Sequence, residues 1–166
     1  MQESKRETLM HAVIGVAVDG DRTLYVHRSA QMQNYPEVWS LLSIQFEEAK
    51  MPDHLDLGSA QHLFETLTLQ RLGDVPIFVK RYLTSGTCSD NTMRERVTLH
   101  LYEIELTGKP QLNPAFYTES RWMTPSEYKT VSQGYQCGLC MRLWSDFCFN
   151  RGLTSERFAP RAVLDT

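Results

Sequence analysis

The stretch from Met10 to Val18, MHAVIGVAV, constrains the fold more than any other part of the chain. It is apolar at odd and even positions alike. Side chains alternate across a strand, so both of its faces must be covered. Such a strand belongs in the middle of a sheet packed on each side. Asp19-Gly20 supplies a tight hairpin turn, and Thr23 to His27 reads as the returning strand, ending at Arg28.

The segment from Ser29 to Val38 contains Asn34, Tyr35 and Pro36 without periodicity and reads as a loop. A short strand, WSLLSIQF, follows, and Met51 to Gly58 is irregular. From Ser59 the apolar spacing becomes helical at Ala60, Leu63, Phe64 and Leu67, with Gly73 as a C-terminal cap. Gln61, His62, Glu65 and Thr66 then share the flank away from the core stripe. Residues 75–84 and 96–106 read as paired strands joined by a long polar loop containing Gly86, Asp90 and Asn91. Thr124-Pro125-Ser126-Glu127 carries the signals of a helix start, and Cys140, Leu143, Trp144, Phe147 and Cys148 form the stripe of a last helix, with Gly152 beyond it. This is an α+β order of elements. It divides into an extension over 1–9, one domain over 10–152 and a tail over 153–166.

At 166 residues the chain can bury a core without disulfide or metal staples. The net charge of -3 and the lack of a Lys/Arg cluster argue against nucleic acid as a partner and favour a small ligand or a protein. No apolar run approaches the ~20 residues of a membrane span, and the start, MQESKRETLM, has no signal core, so a cytoplasmic protein without membrane contact is expected. Cys88, Cys137, Cys140 and Cys148 are too few and too unevenly placed for a secreted disulfide framework. Cys137-x-x-Cys140 has no second pair to complete a zinc site, and Cys140 and Cys148 on the apolar stripe read as core.

The order of elements resembles the Nudix hydrolase superfamily over roughly residues 10–150. Tyr35-Pro36-Glu37-Val38-Trp39-Ser40-Leu41 is similar to the family's P-G-x-W-x-x-P-G-G approach to its catalytic helix. Glu119-Ser120-Arg121-Trp122-Met123 is similar to its E-x-x-W-hydrophobic segment before the last helix. The resemblance implies an α/β/α sandwich around a central mixed sheet. It also places the Arg-Glu-hydrophobic-x-Glu-Glu-x-Gly half of the Nudix box on the run from Gln61 to Leu69. Gln61 then stands for the Arg, His62 for the first Glu, Thr66 for the last Glu and Thr68 for the Gly, and Glu65 alone keeps a carboxylate. Upstream, Ser43-Ile44 replaces the Gly-Gly pair, with a longer spacing to the helix. The box is degenerate.

Cleaving a diphosphate calls for Mg²⁺ or Mn²⁺ held by oxygen ligands, chiefly carboxylates. Glu65 is the first candidate ligand and Glu48 the second, with Glu47, Asp53, Asp56 and Glu119 as further acids near the implied site. Set against them is the general exposure of acidic residues as solvated surface charge. His62 with Glu65 forms a candidate acid–base pair. Arg28, Tyr35, Trp39, Gln61 and Glu119 are candidate ligand contacts; Phe46 could join the aromatic wall, whereas Trp39 and Phe46 equally suit a core.

Two functions follow as expectations. In the first, a Nudix-like domain has lost metal-dependent pyrophosphohydrolysis and binds a nucleotide-like or other small ligand, or a partner, in the old cleft without a cofactor. In the second, a divergent enzyme either hydrolyses nucleoside diphosphate derivatives with weakly held Mg²⁺ or Mn²⁺ on Glu65 and loop acids, or works without metal through His62 and Glu65. A protein-interaction role predicts an exposed apolar patch or a homodimer.

Overall fold

The computed structural model describes residues 8–33, 35–50, 55–90, 95–132 and 144. Strand β1 (Thr8–Asp19) is the axis of the molecule. It pairs in parallel with β6 (Glu95–Leu106) from Thr8↔Glu95 to Ala17↔Ile104 and antiparallel with β4 (Leu42–Glu47) from Met10↔Glu47 to Gly15↔Leu42. Beyond β6 lies β5 (Ile77–Asp90). Near its end β1 turns through Gly20, φ 65°, into β2 (Arg22–Arg28), which pairs with β3 (Trp39–Ser40) and β7 (Tyr117–Met123). The result is a mixed, seven-stranded sheet system.

The segment WSLLSIQF is therefore two strands. Ser40 pairs with Val26 of β2, whereas Leu42 pairs with Gly15 of β1, so the chain changes partners at the fully buried Leu41. The expected polar loop after residue 84 is also replaced by strand, since β5 runs to Asp90 with register shifts between Val79 and Arg81 and between Tyr82 and Thr84. The cause is non-local: β1 holds β6 extended as far as Glu95, and β6 offers β5 a template that outweighs its weak strand propensity.

Both faces of β1 are covered, as its composition requires. On one face Val13 and Ala17 pack with Ala60, Phe64 and Leu67 of α1 (Leu57–Arg71). On the other, Ala12, Ile14 and Val16 pack with Tyr25, Leu99, Leu101 and Trp144, and Tyr128 and Val131 of α2 (Pro125–Val131) lie against that cluster. Helix α1 starts at Leu57, two residues before Ser59, with the Asp56 side chain accepting from Ser59 N at 2.7 Å, and ends before Gly73 at φ 79°. Helix α2 has the expected capping box of Thr124 and Glu127. Of the last helical stripe, only Trp144 is among the described residues; it is helical and buried, and Cys137, Cys140 and Cys148 lie outside them.

Gly15 sets the distance between helix and sheet. A methyl group built there would stand 2.7 Å from both Phe64 Cε1 and Ile104 Cδ1. Gly15→Ala should therefore push α1 off the sheet and lower unfolding free energy by about 1–3 kcal/mol. Urea titration would show this as a lower midpoint with an unchanged slope.

Candidate functional site

The polar flank of α1 assembles two of the residues singled out in the sequence. The Gln61 side chain donates through Nε2 to Glu65 Oε1 at 2.8 Å and to the Ile77 carbonyl at 2.8 Å, while its Oε1 accepts from Val79 N at 2.7 Å. An amide carries both a donor and an acceptor, so it can meet the alternating C=O and N–H groups of a strand edge as a neighbouring strand would. Gln61 thus ties α1 to the start of β5 and orients the exposed Glu65 at the same time. An arginine in this position could donate to Ile77 but could not accept from Val79. His62 is exposed, and its backbone carbonyl accepts from Thr66 Oγ1 at 3.0 Å.

Glu48 lies in a 3₁₀ turn (Glu48–Lys50) after β4, and its carboxylate is 3.5 Å from Nε2 of His11. The structure thus pairs it with a residue that sequence reasoning passed over. Nδ1 of His11 is in turn 3.0 Å from Nε2 of His100 on β6. Burial, and then the charge of His11, hold the His100 pKa below its ordinary value. Across the parallel ladder His11 faces Thr98 and His100 faces Val13, so the two rings share the α1 face of the sheet. Strand pairing alone makes them neighbours.

Further along this face Tyr102 donates to the Leu55 carbonyl at 3.3 Å, and burial followed by Tyr82 and Asp56 pushes its pKa up to about 12. The connection from β4 to α1 is therefore held to the sheet at Glu48 and again at Leu55. Asp56 caps α1, and Asp53 lies outside the described residues. Among the described residues no three His, Cys, Asp or Glu side chains gather where a metal could be held.

The remaining candidates serve two other places. Trp39 is 7% exposed, with His27 edge-on at 5.1 Å and the Arg121 guanidinium 5.7 Å above its ring. Glu119 pairs with Arg121 and stands opposite His27, so β2 brings Trp39 and Glu119 together from β3 and β7. Arg28 is buried, and its Nε donates to the Tyr35 carbonyl at 3.0 Å; its backbone exchanges hydrogen bonds with Val38 O and Glu37 N. This closes the 29–38 loop and holds Tyr35 and Glu37 in left-handed backbone at φ 50° and 59°. Phe46 packs against the α1-side core.

Two buried charges carried no recognised signal in sequence. Arg71, in the last turn of α1 and 8% exposed, donates through Nη1 to Ser43 O at 2.7 Å and to Tyr117 Oη at 2.9 Å, with its guanidinium 4.8 Å from the Phe116 ring centre. Glu103, 3% exposed on β6, lies 3.5 Å from Lys80 Nζ and 3.8 Å from Arg81 Nε. Burial raises its pKa against the pull of those two cations.

The amide clamp makes an unusual demand. Gln61→Arg restores the residue the resemblance expects, yet it leaves the Val79 N–H unpaired and should lower stability by about 1–3 kcal/mol. Gln61→Leu should do the same; calorimetric or urea unfolding equal to the parent for both variants would dismiss the clamp.

No protein-family model and no curated protein matches the sequence. Solved structures do match in shape. The MutT protein from Methanosarcina mazei Go1 superposes with a TM-score of 0.65 at 10% identity over 89% of this chain and 98% of that one. A NUDIX hydrolase from Nitrosomonas europaea gives 0.62 at 11% identity, over 97% of each chain. MutT NUDIX hydrolase from Burkholderia pseudomallei gives 0.58 at 16% identity over 82% and 95%. The sandwich of mixed sheet and two helices described above is the Nudix fold.

Proposed function

We propose that this chain uses the Nudix fold to bind a nucleotide-like or other small ligand beside α1, and that it does so without metal-dependent pyrophosphate hydrolysis. One observation carries the reading: at the box positions of α1 Glu65 is the single carboxylate, and it is held by an amide that is itself committed to the edge of β5. A lone exposed carboxylate gives Mg²⁺ one charged ligand and leaves the rest of its coordination to water, which suits weak, transient contact. It cannot neutralise the charge that develops on two phosphoryl groups. Glu48, the second expected ligand, is engaged by His11.

His62 and Glu65 remain exposed one turn apart on α1 and supply a hydrogen-bonding surface to an incoming ligand. Two of the solved structures named above, from Nitrosomonas europaea and Burkholderia pseudomallei, are hydrolases by their own descriptions; the residues of this chain at the corresponding helix favour recognition over turnover.

Isothermal titration with Mg²⁺ and Mn²⁺, alone and with a panel of nucleoside diphosphate derivatives, tests this together with phosphate release from the same samples. The expected outcome is heat from a nucleotide without metal, no saturable metal binding and no phosphate. Tight metal binding with turnover that Glu65→Gln abolishes would overturn it. His62→Glu with Thr66→Glu returns two carboxylates to the helix beside Glu65, and that double variant should gain saturable Mn²⁺ binding that the parent lacks.

A further inference from the structure

His11 and His100 meet in an unusual way. Their ring planes differ by 14°, and the ring centres are 5.3 Å apart while the nearest nitrogens are 3.0 Å apart. That centre separation is the nitrogen gap plus about one ring radius on each side, so the imidazoles lie edge to edge with Nδ1 of His11 aimed at Nε2 of His100. A hydrogen bond on this axis needs one proton between the two nitrogens. Glu48 at Nε2 of His11 favours a proton on that outer nitrogen, which leaves Nδ1 bare to accept from His100.

The proton count has a definite consequence. When the pair is neutral, His100 donates to His11. When one charge is added and stays on His11 beside Glu48, His11 donates to His100 and the contact reverses without breaking. When both rings are charged, two protons point at each other along the axis and the contact is lost. The described groups around the pair do not offset that second charge. Lys50 is exposed in the turn with Glu48, Phe46 stands opposite His11 on β4, and Thr98 and the exposed Arg96 share this face of β6. On β5, Ser85 and Thr87 stand opposite His100 and Thr98, and at the head of α1 Asp56 acts on Tyr102. Among the described residues Glu48 is the one acid paired with either ring, and it lies on the far side of His11.

We propose that Glu48, His11 and His100 form a proton-operated clasp that fastens the first part of the β4–α1 connection to the β1–β6 core of the sheet, closed with one proton on its axis and opened by a second. The clasp stands independently of the proposed ligand binding, because it rests on the sheet and the connection alone. Its direction in pH follows from the environment of His100, whose folded pKa lies below the ordinary 6.5. The unfolded chain then binds this proton more readily, so the stabilisation is present above 6.5 and is lost as the pH falls below that value toward the folded pKa.

Histidine ring NMR and amide hydrogen exchange on the full chain test the clasp between about pH 7 and about pH 5, the range in which histidine charges. In the parent, His100 should take up its proton below the ordinary value. Protection at the paired ends of β1 and β6 should then fall by about tenfold relative to the β2–β7 pair. His100→Gln should remove that selective fall. Titration of His100 at the ordinary value would overturn the proposal, as would loss of protection in parallel across β1–β6 and β2–β7. If His100→Gln does not fold, the ring titration of the parent decides alone.

Discussion

Everything in this molecule is arranged around a strand that has no wet face. β1 is buried from Ala12 to Ala17, and its neighbours are a parallel strand on one side and an antiparallel one on the other. A parallel neighbour cannot be reached by a hairpin, so the chain must travel through β4, α1 and β5 before β6 can lie beside β1. That detour is what places α1 across the sheet. Gly15 lets it sit close: the missing side chain is the space that Phe64 occupies, and Phe64 meets Tyr102 edge-on from the same seat.

The parts of this arrangement that rest on local chemistry were readable beforehand. The two-sided apolar run of β1, the stripe of α1 and the Thr124 to Glu127 cap each have a cause within a few residues of themselves. The exchange of strand partners at Leu41 and the long reach of β5 do not, because each is decided by a backbone edge supplied from elsewhere in the chain. The same division runs through the candidate site. Gln61 and Glu65 are one turn apart, and their meeting follows from helical spacing alone. His11 and His100 are 89 positions apart and are joined only by the register of a parallel ladder. Nothing in the composition of β5 announces that a helix side chain will close its edge.

That closure separates fold from chemistry in a concrete way. An arginine at a helix surface supplies charge and donors; a glutamine supplies a donor and an acceptor and no charge. Gln61 gives Glu65 an uncharged partner and makes a backbone-like connection to β5. The fold is shared with Nudix structures, and the chemistry of this helix has to be argued from its own residues.

The two ends of α1 are fastened by different kinds of bond. At its head, the approach from β4 runs past a carboxylate and two imidazoles, and imidazole is the side chain that ordinarily changes charge within the range of cellular pH. At its tail, Arg71 is held by a carbonyl, a phenol and the faces of Phe116 and Tyr117, and it stands where the partial negative charge of the helix end favours a cation. If the proposed clasp opens as the pH falls, it loosens the approach to the head of α1 and leaves the tail seated, as a door swings on its hinge: the free edge is the side that meets the incoming chain.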